Sequence, residues 1–426
     1  MKASAGRLLM LVENSFPSDS RVRNEAYTAV ENGYKVSVIA LRKPGEKAHE
    51  VVNNVAVYRI PIVTLFKKLP KGGSSRIVAL FKTLQAVVGY VFEYSYFTFA
   101  CLGYSFYVSM REGFDAIHAN NPPDTLFIVG FVHKLLGKKF VFDHHDLSPE
   151  LYLSRYKKTK ANIVSKGLLL CEGLSLKLAD VAIMTNESYR EIAIKRHGIQ
   201  PDRLFVVRNG PDRKRVYLVP PDLELKRKGR IILGYVGAMN PQDGLDYLLR
   251  ALHILINELG RKDFYCVLIG DGDSVEDLKE QSQELGLTDH VWFTGFISDA
   301  DVLRYLSTSD ICMDPNPSSP LNDVSTWIKV MEYMALGKPI VSFDLKETRV
   351  SAGGAALFVP PNDEREFAKA TLRLMDDPEL RSRMGELGKT RVDEELNWQV
   401  SSRNLLRAYD QLFGRITHAT PAVKVV

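Results

Sequence analysis

Short aliphatic and β-branched runs recur along the chain, separated by longer stretches whose apolar residues fall at helical spacing. In the first half the runs lie at 7–12, 35–40, 115–120, 139–143, 180–185 and 204–209. In the second half they lie at 231–237, 264–270, 290–295, 310–315, 339–343 and 355–359. Such runs, bounded by Gly, Asp and Asn, predict strands, and their alternation with helices predicts parallel sheets covered on both faces. The fold class expected is therefore α/β: two doubly wound, parallel-sheet, Rossmann-like domains facing a cleft. Between the two sets, "GPDRKRVYLVPPDLELKRKGR" (210–230) is rich in proline and charge and keeps no apolar period, so it reads as a linker. The boundaries expected are 1–212 for the first domain, 213–229 for the linker and 230–395 for the second domain. Residues 396–426 are expected to form a terminal amphipathic helix (397–413), packing back on the first domain, and a loose tail.

The length of 426 residues agrees with this division, because it exceeds one ordinary core. Lys plus Arg exceeds Asp plus Glu by 56 − 51 = 5, too small a surplus to argue for nucleic acid as a partner. Cys101, Cys171, Cys266 and Cys312 are far apart, form no metal-ligand or redox spacing, and suit a reducing compartment. No secretory signal is evident. One segment complicates a purely soluble reading. "VVGYVFEYSYFTFACLGYSFYVSM" (87–110) carries one charge, Glu93, and the basic "FKKLPKGGSSR" (66–76) lies upstream. It is read three ways: a helix at a membrane surface, a buried or partner-covered helix, or a true span.

Ligands of open parallel sheets bind beyond the carboxyl ends of strands, so the loops there carry the candidates. Gly237 and Gly270 close two predicted strands, and Phe296-Ile297 follow a third and suit a nucleobase. No GxGxxG is present, which removes the dinucleotide fingerprint. In the first half, Asp19, Arg21 and Arg23 follow the first strand. His118, Asn120, Asn121 and Asp124 follow the third, and His144-His145-Asp146 the fourth. His-His-Asp raises metal binding, but no second cluster at ligand spacing accompanies it, so no metal is expected. The strongest stretch is "NDVSTWIKVMEYMALGKPIV" (322–341). Ser325 and Thr326 are candidate helix caps, and the helix is expected over Trp327–Leu336, ended by Gly337. It is apolar nearly all round, which implies burial. Lys329 and Glu332 share its one polar face, either as a local ion pair or as the lining of a ligand site whose helix start receives an anion such as diphosphate.

These residues resemble glycosyltransferase family four, the nucleotide-sugar-dependent retaining enzymes of the two-Rossmann-domain, GT-B architecture. The resemblance spans nearly the whole chain and rests on "RVRNEA", "FDHHDLSPE", "NGPD", "YVGAMNPQDGLDYLLRAL", "LIGDGD" and, above all, the 322–341 stretch. "EYMALGKPIV" is similar to bacterial members that build surface polysaccharides and O-antigen-like glycans. The resemblance implies transfer of a hexose-type sugar from a nucleotide-diphosphate sugar, UDP-sugar favoured, to a glycan or polyprenyl-diphosphate-linked acceptor. It implies no cofactor, a metal-independent reaction and a cytoplasmic protein, for which 87–110 offers the option of a peripheral place on the inner face of the plasma membrane. Glu332 matches the second of the family's paired glutamates, which holds the ribose; the first position is Val324, with Asp323 adjacent. Gly237, Gly270, Phe296, Ile297, Asp323, Ser325, Thr326, Ile328 and Glu332 are then expected on the donor. Asp19, Arg21, His118 and Asn121 are expected on the acceptor, and His145, Lys329 and Glu332 at the reaction. Ala238 and Asp243 stand where the family often has Arg and Lys, so Lys329 is the candidate replacement cation, with Arg208 and Arg21 behind it. A sugar-nucleotide epimerase on the same scaffold and a non-catalytic nucleotide-sugar-binding protein are the alternatives.

Overall fold

The computed structural model of the chain describes residues 5–63, 76–156 and 161–415. The basic stretch at 66–75 and the tail from 416 lie outside the described residues. The chain divides into two units: one runs up to Val207 and resumes at Ser402, and the other is Arg208–Ser401.

The first sheet holds β1 (Gly6–Leu11), β2 (Tyr34–Arg42), β3 (His49–Val52), β4 (Val55–Pro61), β5 (Ala116–Asn120), β6 (Lys139–His144), β7 (Val181–Met184) and β8 (Leu204–Val206). Their order is β3-β4-β2-β1-β5-β6-β7-β8, and every pairing is parallel except β3 with β4. That edge hairpin is a departure from the sequence expectation, which leaves 49–61 unassigned. Its turn is Asn53-Asn54, both left-handed (φ 48 and 65), the conformation a two-residue hairpin turn demands. Arg59 hides the strand period: it is a buried charge held by Glu46 and Glu50.

The second sheet holds β9 (Ile231–Val236), β10 (Phe264–Ile269), β11 (Val291–Gly295), β12 (Ile311–Asp314), β13 (Ile340–Phe343) and β14 (Ala356–Val359), all parallel, in the order β11-β10-β9-β12-β13-β14. Odd and even residues of one strand go to opposite faces. Leu233 and Tyr235 join Leu248, Leu252, Phe264 and Phe343 in one core. Ile232 joins Val267, Cys312, Met331, Met334 and Ile340 in the other. Strands buried on both sides explain why the sequence shows continuous apolar runs there and no alternation. In each sheet the strand order reverses once, between β1 and β5 and between β9 and β12. Beyond the carboxyl ends of those strands lies the crevice where such sheets bind ligands.

The segment at 87–110 belongs to a helix of 36 residues, Arg76–Arg111. Phe97, Thr98, Cys101, Ser105 and Val108 bury one face, while Val91, Phe99, Phe106 and Met110 are exposed. Among the described residues no helix is long and apolar enough to cross a membrane, which removes the spanning alternative. The terminal helix, Trp398–Leu412, contributes buried Leu405, Ala408, Tyr409 and Leu412.

Candidate functional site

In the second unit three strands end without side chains. Gly237, Gly270 and Gly295 follow or close β9, β10 and β11. A Cβ on Gly270 would stand 2.0 Å from the Gly237 carbonyl oxygen, and φ there is 133°. Only glycine fits, and the bare backbone leaves room for a ligand to approach. Phe296 follows, 92% exposed, while Ile297 packs on the core.

The helix that completes this edge is Ile328–Ala335. Its apolar side chains Val330, Met331, Tyr333 and Met334 are buried. The Tyr333 hydroxyl accepts from the Val236 amide at 2.9 Å, tying the helix to the end of β9. The expected caps are corrected: Trp327 is the N-cap, with no side-chain bond. Ser325 instead closes the 3-10 turn Asn322–Val324 and donates to the Leu321 carbonyl at 2.8 Å. Asp323 sits in that turn and accepts from Ser318 at 3.1 Å.

Lys329 and Glu332 do not pair, contrary to the ion-pair alternative. Lys329 turns inward: its Nζ donates to Asn316 Oδ1 at 2.5 Å and lies 3.4 Å from Asp314 Oδ1, over the Tyr235 and Trp327 rings. Asp314 is wholly buried, and burial pushes its carboxyl up while Lys329 opposes the shift. Asp243, raised by burial, is drawn back first by the same lysine. The lysine expected on the diphosphate thus stands against the buried Asp314, with the charge of Asp243 also acting on it. Glu332 faces the other way and is half-buried. No hydrogen-bond or ion-pair partner is found for it among the described residues. Burial pushes its carboxyl up to about 7, Asp299 adds to the rise, and Arg215 opposes it. A guanidinium does reach the helix start: Arg208 Nη1 lies 3.5 Å from Thr326 Oγ1 and 3.4 Å from the buried Glu347.

In the first unit Asp19 caps helix Ser20–Glu31 and accepts three hydrogen bonds from Arg21. Burial alone would raise Asp19; Arg21 and His145 bring it down to about 2. The register sets Asn120 beside Asp143 and His118 beside Val141. His145 Nε2 lies 3.1 Å from Asp143 Oδ2 and 3.2 Å from Asn120 Oδ1. His118 and Asn121, expected on the acceptor, lie behind the site. His118 is fully buried between Tyr409 Oη (2.8 Å) and Asp143 Oδ2 (3.0 Å). Asn121 accepts from the amides of His145 and Asp146 and donates to the Asp146 carbonyl, so it braces their loop. His144, buried against Phe142 and Tyr189, is lowered by desolvation.

Sequence reasoning missed Glu25, Asp143, Tyr409 and Arg208's place. Glu25 and Asp143 had a signal, an acid inside an otherwise apolar face or strand; Tyr409 had none, being 291 positions from its partner. Glu25, Asp143 and His145 each bring one potential ligand atom within 4.8 Å of the others, the only such group among the described residues.

Two doubly wound units, each with polar residues beyond the strand ends at its order reversal, define a two-Rossmann-domain α/β class of fold. The sequence model described as "Glycosyl transferase 4-like domain" matches residues 19–210, and that described as "Glycosyl transferases group 1" matches 230–377. The chain belongs to the family-four type of glycosyltransferases. It is 33% identical over 161 residues to the alpha-D-kanosaminyltransferase of Streptomyces kanamyceticus, covering 37% of this chain and 39% of that protein. It is 30% identical over 196 residues to the lipopolysaccharide core biosynthesis glycosyltransferase LpsD of Rhizobium meliloti, covering 46% and 52%. The chain thus spans about half the length or less of these curated relatives. In fold it is similar to the sucrose-phosphate synthase of Thermosynechococcus elongatus (TM-score 0.71, 18% identity, 96% and 100% covered). It is also similar to Anabaena HepE, solved with UDP-glucose (TM-score 0.67, 15% identity, 95% and 100% covered).

Proposed function

We propose that this chain moves a hexose-type sugar from a nucleotide-diphosphate sugar, UDP-sugar favoured, to a hydroxyl of a glycan or lipid-linked acceptor, with retention of configuration. The observation that carries the donor half is Glu332, a carboxylate without a partner among the described residues, on a helix fixed at the end of β9. In this reading it accepts the hydroxyls of the nucleotide ribose. Gly237 and Gly270 let the nucleotide lie close to backbone, and Phe296 covers the base. The start of helix Ile328–Ala335, with Arg208 beside Thr326, receives the diphosphate.

As the sugar departs, charge builds on the diphosphate, and the helix amides and guanidinium bind that state more tightly than the ground state. The leaving phosphate takes the acceptor proton, and His145 orients the acceptor, with Asp19 and Arg21 beside it. The reading uses no metal ion or cofactor. A role in cell-surface polysaccharide synthesis is supported by the named activity of LpsD, and a UDP-sugar by the ligand of HepE. The exposed apolar face of helix Arg76–Arg111 supports contact with a membrane surface and a lipid-linked acceptor.

Calorimetric titration with UDP-, GDP-, ADP- and dTDP-sugars identifies the donor, and proton NMR of the product gives its anomeric configuration. Glu332→Ala is expected to weaken the donor's affinity by about tenfold or more, the scale of a hydrogen bond to a charged group. Unchanged affinity overturns the donor assignment. Consumption of the nucleotide sugar with no acceptor present would instead favour epimerisation.

A further inference from the structure

Glu25, His118, Asp143 and Tyr409 form a buried polar set that the proposed chemistry does not use. All four are at most 1% exposed. Two of their oxygens, Glu25 Oε2 and Asp143 Oδ1, have no hydrogen-bond partner among the described residues. The protons of the set can be assigned from what each atom faces. His145 Nε2 faces two acceptors, Asp143 Oδ2 and Asn120 Oδ1, so it carries hydrogen. His118 Nε2 faces Asp143 Oδ2 at 3.0 Å and Glu25 Oε2 at 3.6 Å, so it carries hydrogen too. His118 Nδ1 is then an acceptor, and Tyr409 donates to it at 2.8 Å. The two bare carboxylate oxygens remain, on acids that each bring an oxygen within 4.8 Å of the other, and one proton on the pair relieves the burial of two like charges.

We infer that Glu25, His118, Asp143 and Tyr409 are positioning residues: Glu25 and Asp143 share one proton, and the resulting anion fixes His145 with hydrogen on Nε2 and its lone pair on Nδ1. The charges agree. Burial, then the charge of Asp143, holds Glu25 well above the usual carboxylate range. Asp143 lies below that range, because His145 and His118 outweigh the burial that would raise it. The groups set against His145 include Asp143 on β6, Asn120 on β5, Asn121, Glu25 on helix Ser20–Glu31, Asp19 at its start, and His144 on its own loop. A ring fixed this way meets an acceptor hydroxyl as a hydrogen-bond acceptor. That consequence rests on the transferase reading; the tautomer does not.

The test is nitrogen NMR of the full chain labelled at histidine, which reads each ring's tautomer without any assay of activity. His145 and His118 are expected with hydrogen on Nε2 in the wild type. Asp143→Asn is expected to change the His145 ring-nitrogen signals, since the carboxylate oxygen facing its Nε2 at 3.1 Å is replaced. If Asp143→Asn fails to fold, Tyr409→Phe, at the far end of the set, is expected to change the His118 signals instead. Hydrogen on Nδ1 of His145 in the wild type, or unmoved His145 ring-nitrogen signals in Asp143→Asn, overturns the inference. So does a stoichiometric metal ion found by elemental analysis, since the bare oxygens would then be its ligands. With a donor and acceptor in hand, Asp143→Asn should lower kcat by about 100-fold, the scale of a reacting group held out of line, with donor KM nearly unchanged. If the tautomers are as assigned but no sugar is ever transferred, the functional proposal fails and the positioning set stands.

Discussion

Glu332 and Lys329 sit three residues apart on one helix and have opposite fates. Glu332 has its carboxyl raised to about 7 by burial. A raised acid stabilises the fold below its unfolded value and loses that contribution as pH rises through 7. A ribose hydroxyl needs the ionised form as acceptor, so donor affinity should fall by up to about tenfold per unit as pH drops below 7. Glu332→Gln should abolish that slope, and calorimetry at pH 6, 7 and 8 measures it. Lys329 compensates Asp314, which is fully buried. Lys329→Ala should therefore cost about 3–5 kcal/mol, the scale of a buried charge left without its partner. Adding Asp314→Asn should restore part of the loss in urea unfolding. From sequence the two charges were legible as unusual, and the helix was legible to within a residue at each end. Their divergence was not, because Lys329's partners Asp314 and Asn316 lie on another strand's end.

Among elements, the strands buried on both faces were easy to read, because a short continuous apolar run between turn residues suits a fully covered strand. The edge hairpin β3–β4 was missed, because Arg59 points inward where an apolar residue would mark the strand. Its Asn-Asn turn gives a test: Asn54→Gly, at φ 65, should stabilise by about 0.5–1 kcal/mol by removing the left-handed penalty. Gly270→Ala should do the reverse, costing about 2 kcal/mol or more, since its Cβ would collide with the Gly237 carbonyl. Chemical denaturation compares the two. The helix Arg76–Arg111 was legible as apolar but not as one-sided, since its exposed face is as aromatic as its buried one. Replacing Phe99 and Met110 by Glu should lower sedimentation with anionic liposomes at least several-fold at low salt. Equal sedimentation of variant and parent would remove membrane contact through this face.

For the whole molecule, the division into two parallel-sheet units follows from the alternation of runs alone. The inner support of the first unit does not, because it is assembled from positions far apart: Glu25, His118, Asp143 and Tyr409. The terminal helix is bound to the first unit by buried Tyr409 and by Asn404, which donates to the Val206 carbonyl at 3.0 Å. Tyr409→Ala should cost about 3–5 kcal/mol of the first unit's stability, as other large buried aromatics do. Domain-resolved hydrogen exchange should show the second unit unaffected.

That helix also sets an order of events during synthesis. A ribosome completes all of Arg208–Ser401 before the residues from Ser402 onward emerge. Until then Tyr34 lacks its ring contacts with Tyr409 and Phe413, and His118 lacks its phenol. The unit translated first is therefore the one finished last, and the nascent chain carries an open apolar seam through most of its elongation.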